Sequence, residues 1–316
     1  MVQDVLLNSL FAALQAVTMF ALSPLIIGII RKVKAWFQSR KGSSIWQPYY
    51  DLAKLLRKDS TMSKDASWIS RATPYIAIAS VGVVALMVPF FTTYSLGFVG
   101  DLIVVVYLLA LFRFFMVLAG MDAGSTFGGM GSSREMMVSS IVEPTMLLAI
   151  FTMALITGTT TLSSISYSLA VTGPDLVRPA LFLALAAFFI SLLAENARVP
   201  VDNPATHLEL TMIHEGMLLE YSGKQLALME WASWTKFLLF SAILANVFFP
   251  WGIATDLSAL GMAVGVIAII AKVLVIALAV ALIESGTSKM RLFRLPNLLT
   301  ESFTLALLAV MSFYIL

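Results

Sequence analysis

The chain has 316 residues, 59% of them hydrophobic, and a mean hydropathy of +0.92. Soluble domains average roughly 45 to 50% apolar residues, so the composition predicts an integral membrane protein rather than the two soluble domains that length alone would suggest. The net charge of +2 is too small to indicate nucleic-acid binding, and the lack of cysteine excludes a disulfide and a thiolate-ligated iron-sulfur cluster in this chain.

Apolar runs of about 20 residues, the length that crosses a hydrocarbon core of roughly 30 Å, recur along the whole chain. They predict an all-α, polytopic membrane protein with about eight transmembrane helices in one domain over 1–316. No linker is long enough to divide the chain. The expected spans lie near 5–30, 73–93, 98–120, 136–158, 178–197, 233–251, 258–283 and 298–316.

The positions of the 20 basic residues predict the orientation, because cytoplasmic loops retain Lys and Arg. By the eight-helix count, 17 of them lie on one side, including Lys236, and only Arg178 lies on the other. Both termini are therefore expected on the outer side, with long cytoplasmic loops near 31–72 and 195–232. The aromatic and basic residues of the first loop fit an interfacial amphipathic helix or a docking platform for a peripheral subunit.

Charged residues inside the expected spans are functional candidates, because charge at the bilayer centre is costly. Arg113, Glu143, Lys272 and Glu284 qualify, and Asp101 begins a span. Pro144 frees a backbone carbonyl next to Glu143, which makes that carboxylate a candidate proton-binding group. The alternative is that Glu143 pairs with Lys272 or Arg113 to hold helices together.

The segment from Glu195 to Gly223 holds five acids, one arginine and both histidines within 29 residues. Asn203 and Pro204 fit a helix start, and one helix continuing from there would place Glu209 and Glu220 on one face. His207 and His214 would share roughly the opposite face, a spacing that signals metal binding only weakly. Grouped carboxylates suit proton exchange near neutral pH, although a solvated acidic face is an open alternative.

Several motifs together resemble the quinone-module membrane subunit of respiratory complex I and its relatives in group 4 nickel-iron hydrogenases and formate hydrogenlyase. The hydrogenase branch is the nearer resemblance. The motifs are Arg40 to Leu56, Gly100 to Phe115, Leu118 to Glu135, Val142-Glu143-Pro144, Glu195-x-x-Arg198-x-Pro200-x-Asp202-x-Pro204, Glu209-Leu210 and Glu220-Tyr221-Ser222-Gly223, with Lys272 and Glu284 near the end.

The resemblance implies a non-catalytic anchoring and energy-coupling subunit that links redox chemistry in a peripheral arm to proton or sodium movement. The expected proton or ion pathway comprises Asp101, Glu143, Glu195, Asp202, Glu209, Glu220, Lys272 and Glu284. The expected structural or coupling residues are Arg113, Arg134, Arg198, His207, His214 and Glu215. The chain departs from the family where Ala205 and His207 replace common acids, and where about three extra residues bring in His214 and Glu215.

The resemblance also implies partners and a location. Hydrogenase-like large and small subunits and an iron-sulfur subunit are expected on the cytoplasmic side, with antiporter-like subunits in the prokaryotic inner membrane. The nickel-iron centre and iron-sulfur clusters belong to those partners, and this chain is expected to hold no cofactor or metal. One alternative is a quinone-site subunit of a complex I-like oxidoreductase. Another is a free-standing transporter, although the lack of a convincing inverted repeat argues against it.

Overall fold

A computed structural model describes residues 2–63, 66–96, 102–172, 179–203, 212–255 and 258–315. Within these ranges the chain is mostly helical, with an isolated bridge between Thr92 and Ala254. The α-helices are α1 Val2–Phe37, α2 Gln47–Arg57, α3 Trp68–Met87, α4 Leu102–Asp122, α5 Thr126–Thr157, α6 Leu162–Thr172, α7 Pro179–Glu195, α8 His214–Leu218, α9 Gly223–Ile243, α10 Ala259–Gly286 and α11 Leu295–Ile315. A π-helical turn, Leu244–Phe248, extends α9, and a 3-10 turn, Leu292–Arg294, precedes α11.

Seven of these helices are long and apolar enough to cross a membrane: α1, α3, α4, α5, α9 with its π turn, α10 and α11 with its 3-10 turn. The prediction of an all-α, polytopic membrane protein is therefore confirmed. The remaining expected span, near 178–197, corresponds to α7, whose 17 described residues fall just short of that length. The orientation of the chain in the membrane stays a prediction.

Two expected spans begin earlier in the structure than the apolar runs indicate. Helix α5 begins at Thr126, where the Ser125 hydroxyl accepts a hydrogen bond from Gly128 N, rather than near 136. Helix α9 begins at Gly223 rather than near 233, and it carries Lys236 in its interior. In both cases polar residues in the first turns weaken the hydropathy signal without breaking the helix, because helix interiors tolerate them when neighbours satisfy them.

Helix α9 forms the centre of the bundle. Of the most apolar 18-residue stretch of α9 and its π turn, 89% is buried inside the protein. The buried share of the matching stretch is 33% in α10 and 22% in α11. Phe240 of α9 and Phe248 of the π turn lie against Phe188 of α7, with ring centroids 6.1 and 5.7 Å apart. Helices α10 and α11 thus form outer edges of the bundle, and charged groups on α9 are enclosed by protein.

Proline lies inside three of the long helices without ending them. Pro24, Pro74 and Pro144 lie within α1, α3 and α5, respectively. Such prolines are tolerated in membrane helices when neighbouring groups satisfy the freed carbonyls. Glu143 therefore sits in a continuous helix, at a fixed position relative to Glu135 two turns earlier.

Candidate functional site

Arg113 of α4 lies at the centre of a buried cluster of charges. Its Nη1 lies 2.8 Å from Glu143 Oε1, its Nε lies 3.4 Å from Glu135 Oε1, and its Nη2 contacts Glu195 Oε1. The planar guanidinium fork presents donors in several directions, so one arginine can face three carboxylates. Helices α4, α5 and α7 are joined through this single side chain.

Lys236 of α9 extends the cluster on the far side of Glu195. Its Nζ lies 2.9 Å from Glu195 Oε2 and donates a hydrogen bond of 2.9 Å to the backbone carbonyl of Glu195. The ammonium also lies 5.2 Å from the centre of the Phe112 ring, within cation-π range. Four helices thus contribute to one group, which we call the Arg113 cluster: Arg113, Glu135, Glu143, Glu195 and Lys236.

The Arg113 cluster contains one more carboxylate than cations when all its members are ionised. Both carboxylate oxygens of Glu195 are buried and meet their cations as charge pairs without an aligned hydrogen bond. An excess negative charge in a low-dielectric interior is unfavourable, and binding one proton would relieve it. The cluster is therefore chemically suited to taking up and releasing a proton.

Glu143 is the accessible end of the Arg113 cluster. Its side chain is 34% exposed, whereas those of Arg113, Glu135, Glu195 and Lys236 are 8% exposed or less. Glu143 is therefore the member of the cluster nearest the surface of the chain. The pairing of Glu143 with Arg113, one of the two alternatives from the sequence, is confirmed, and Lys272 lies elsewhere.

A second group of charges ties α10 to α1 and to the segment after α7. Glu284 lies 3.1 Å from Lys34 and 3.2 Å from Arg198, and its side chain is 1% exposed. The Arg198 guanidinium lies 5.0 Å from the centre of the Phe237 ring of α9. Glu284, predicted as a pathway residue, is thus held by two cations at the edge of a cavity.

Asp202 organises the backbone between α7 and α8. It lies 2.6 Å from Lys289 Nζ, and its other oxygen accepts hydrogen bonds of 3.2 Å from the backbone N–H groups of Ile213 and His214. A carboxylate at such a position satisfies N–H groups that the short α8 leaves unpaired. Asp202 joins the two ends of the segment 203–213 to the α10–α11 connection.

A cavity of about 440 Å³ lies between α1, α8, α9 and the segment after α7. Seven of its 18 lining residues are charged. The charged lining residues are Arg31, Lys34, Arg40, Arg198, Glu215, Glu230 and Glu284, and His214 also lines it.

Glu215 is a carboxylate of this cavity whose pKa lies close to neutral pH. Burial, followed by repulsion from Glu230 and Asp202, raises its pKa to about 7, while Arg31 opposes the shift. Burial lowers the pKa of the neighbouring His214, whose Nε2 lies 3.4 Å from Ser233 Oγ. Glu215 and His214 therefore place a carboxylate with a raised pKa and an imidazole with a lowered pKa on the cavity wall.

The remaining predicted residues lie apart from the Arg113 cluster. Arg134 Nη1 donates to Met212 O at 2.8 Å, which holds the approach to α8, and Glu220 is exposed in the turn after α8. Lys272 lies on α10, where its Nζ is 3.4 Å from Ala245 O and Asn246 Oδ1. The predicted residues Asp101, His207 and Glu209 lie outside the described residues.

The prediction of one helix continuing from Asn203 to Glu220 is wrong. Met212 and Ile213 are not helical, and α8 comprises only the five residues His214–Leu218. Asp202 takes the backbone N–H groups that a continuous helix would have paired internally. The expected placement of Glu209 with Glu220 on one helix face, and of His207 with His214 on the opposite face, depended on that continuous helix and therefore no longer applies.

Two members of the Arg113 cluster are not evident from the sequence. The expected spans place Lys236 only at the cytoplasmic edge of 233–251, yet it is buried inside α9, and they place Glu135 just outside a span, yet it lies inside α5. The available signal is the serine that precedes each helix: Ser125 before α5 and Ser222 before α9. In the part of the chain that is described, no group of three or more His, Cys, Asp or Glu side chains could hold a metal ion.

Comparison with known proteins places the chain in a family. The model of the family described as NADH dehydrogenase matches residues 10–315. The chain belongs to this family. It is 36% identical over 301 residues to hydrogenase-4 component C of Escherichia coli (strain K12), covering 95% of this chain and 94% of that protein. It is 34% identical over 307 residues to formate hydrogenlyase subunit 4 of the same organism, covering 97% and 99%.

Two further matches are a relative of lower identity and a solved structure with the same fold. A subunit of the NADH-quinone oxidoreductase of Rubrobacter xylanophilus is 29% identical over 231 residues, covering 69% of this chain and 67% of that protein. A chain of the membrane-bound sulfane sulfur reductase, an archaeal respiratory membrane complex, has the same fold with a TM-score of 0.81 at 23% identity, covering 97% and 98%. The two hydrogenase-type relatives thus match more of the chain at higher identity than the NADH-quinone oxidoreductase relative.

Proposed function

We propose that this chain is the membrane anchoring and energy-coupling subunit of a multisubunit, group 4 hydrogenase or formate hydrogenlyase-type complex. Its role is to link redox chemistry in a peripheral arm to proton or sodium movement across a prokaryotic inner membrane. The supporting observation is the Arg113 cluster, five charges of which four are buried and with one carboxylate in excess, in a chain that matches two hydrogenase-type subunits over almost their whole lengths.

The Arg113 cluster supplies the proton-binding step of this proposal. Glu143 receives or releases the proton at the accessible end, and Arg113 couples its charge to Glu195 and Lys236 in the interior. A change in charge or position at the loop after α7 would shift Glu195, the last residue of that helix, and with it the proton affinity of the cluster. Redox events in a partner that touches this loop can thus be transmitted to Glu143.

The peripheral subunits are expected on the side of the cavity. The cavity wall, the loop after α7 and the amphipathic helix α2 lie near one another, because α2 packs on α1 and α9. The nickel-iron centre and the iron-sulfur clusters would lie in the partners. A large peripheral subunit with four nickel-ligating cysteines would support the hydrogenase assignment.

The test replaces Glu143 with Gln in the complete complex and measures hydrogen-linked ion pumping in membrane vesicles. We expect pumping to fall about tenfold or more, because proton transfer by a positioned carboxylate typically contributes at least that much. Glu301→Gln is the matched control, since Glu301 is an exposed carboxylate on α11, away from the cluster. Undiminished pumping in a fully assembled Glu143→Gln complex would contradict the proposal.

The alternative function is that of a quinone-site subunit, and the relationship to an NADH-quinone oxidoreductase favours it. Ligand pockets for an apolar ring are mostly lined by hydrophobic side chains with few polar groups. The cavity wall has seven charged residues and a histidine beside apolar residues such as Ile27, Ile30 and Phe237, so its lining alone does not separate the two functions. We rank this function second because the hydrogenase-type relatives match more of the chain at higher identity. A tightly bound quinone in the purified complex, or inhibition by quinone-site ligands, would reverse that order.

A further inference from the structure

We propose that α10 docks against a transmembrane helix of a second membrane protein, and that this helix presents an Asp or Glu to Lys272 near the middle of the bilayer. The proposal rests on the proposed function only in taking the chain to work within a membrane assembly. It names the face and the chemistry of that contact.

Lys272 lies in the middle of the span. It is the fourteenth of the 28 residues of α10, so each end of the helix is about 20 Å away at a rise of 1.5 Å per residue. A lysine near a helix end places its ammonium at the lipid headgroups, but the four-carbon stem of Lys272 is much shorter than this distance. Lipid headgroups therefore do not serve as its counter-charge.

The contacts of Lys272 inside the chain are weak and neutral. Its Nζ lies 3.4 Å from the backbone oxygen of Ala245 and 3.4 Å from Asn246 Oδ1. Within the described ranges, no carboxylate lies within 4.0 Å of this Nζ. By contrast, Lys236 on the neighbouring helix has a carboxylate at 2.9 Å.

The polar environment of Lys272 is built into the fold. Asn246 and Ala245 lie in the π-helical turn that ends α9, and such turns are frequent at functional positions. The Asn246 amide donates hydrogen bonds of 2.9 and 2.8 Å to Pro89 O and Phe90 O. These bonds fix the Asn246 side chain so that its carbonyl oxygen points to Lys272 and holds the ammonium in place without neutralising it.

Lys272 borders a broad apolar surface that the chain leaves uncovered. Helix α10 contacts α1 on one side, and its opposite side exposes Leu260, Ile267, Val275 and Leu282 at 80, 68, 64 and 53%. A lipid tail would cover these side chains equally well, but it offers nothing to the ammonium at their edge. A helix with one mid-membrane carboxylate covers the apolar surface and supplies the missing charge, because ionisable groups in the membrane interior pair with one another.

The test is photo-crosslinking from α10 in the host membrane. The photoreactive residue p-benzoyl-phenylalanine replaces Ile267 or Val275 in the full-length, affinity-tagged chain, and Leu308 of α11 serves as a control position on another exposed face. We expect both α10 positions to form an adduct with a transmembrane helix that contains Asp or Glu. Adducts only with lipid, with a second copy of this chain, or with a helix that lacks a carboxylate would overturn the proposal.

A charge exchange then tests the ion pair itself. Lys272→Glu should reduce the α10 adduct about tenfold or more, and replacing the partner's carboxylate by Lys in the same strain should restore it. An unchanged adduct in Lys272→Glu overturns the proposal. If Lys272→Glu is not recovered as a monodisperse protein, Lys272→Gln, which removes only the charge, carries the same expectation. Because ion pumping is not the readout, failure here leaves the proposed coupling function standing.

Discussion

Lys236 Nζ lies 2.9 Å from both the carboxylate Oε2 and the backbone carbonyl of Glu195, so one ammonium joins the centre of α9 to the last residue of α7. Both side chains are almost fully buried, and the second oxygen of the same carboxylate contacts Arg113. The end of α7, where the chain leaves the bundle, is thereby attached by charge to two deeply enclosed cations.

Lys236→Met should destabilise the chain strongly. The substitution leaves Glu195 short of one cation in a buried site, and removing one partner of a buried pair typically costs about 3 to 5 kcal/mol. The double variant Lys236→Met with Glu195→Gln removes both charges, so its loss should be smaller than the sum of the two single losses by about 1 to 3 kcal/mol. Unfolding of the purified chain in detergent measures all three variants, and additive losses would contradict the pairing.

Glu215 should make stability depend on pH near neutrality. Its pKa is about 7 in the folded chain and lies near the ordinary 4.5 when unfolded. The folded state therefore binds more protons between these values, and stability falls as pH rises from about 4.5 to 7. Glu215→Gln should remove this part of the pH dependence, because an amide does not titrate.

The comparison for Glu215 is made at pH 5 and pH 8 by thermal unfolding in detergent. The difference between the two pH values should be larger in the unmodified chain than in Glu215→Gln. Glu220→Gln is the matched control, since Glu220 is exposed in the adjacent turn. Equal pH dependence in the unmodified chain and Glu215→Gln would show that another group titrates in this range.

Much of the membrane architecture follows from the sequence, because apolar length is set by the bilayer and every predicted span overlaps a helix. Arg113 and Glu143 are identifiable as isolated charges in apolar runs. Their pairing is not, because the choice between Arg113 and Lys272 as the partner of Glu143 depends on which helices are neighbours. The sequence puts Lys236 at the edge of a span rather than in the interior for a different reason: polar residues in the first turns of α9 obscure where that helix begins.

The segment after α7 shows where periodicity is insufficient. The spacing of its residues suits a helix. In the structure, however, Asp202 pairs with Lys289 and accepts hydrogen bonds from the backbone N–H groups of Ile213 and His214, a pairing that a continuous helix does not make. These contacts join residues 11 to 87 positions apart in sequence. Tertiary hydrogen bonds of this kind override local helix preference and cannot be read from one segment alone.

Gly28→Ala should destabilise the attachment of α2 to α1. A Cβ at Gly28 would overlap the backbone carbonyl of Ile45, just before α2, and a backbone atom cannot move away as a flexible side chain can. We expect a loss of about 1 to 3 kcal/mol, the usual range for overpacking. Gly129→Ala in α5 is the matched control: no atom lies within 4 Å of its added Cβ, so it should stabilise by about 0.5 to 1 kcal/mol. Unfolding in detergent measures both variants. A gain of stability in both would contradict the close approach of Gly28 to the Ile45 carbonyl.

Asp202→Ala should release the start of α8. The variant loses the acceptor for the Ile213 and His214 amides and the partner of Lys289. Hydrogen bonds to charged acceptors contribute about 1.5 to 3 kcal/mol each, so hydrogen exchange at these two amides should accelerate by about tenfold or more.

Asp202→Asn keeps one acceptor oxygen but removes the charge, and its exchange rate should fall between those of the unmodified chain and Asp202→Ala. Hydrogen exchange with mass spectrometry of peptides over 212–218 measures the order, with the 223–243 peptides of α9 as an internal reference. If Asp202→Ala left exchange over 212–218 unchanged, the segment would be held by contacts other than this carboxylate.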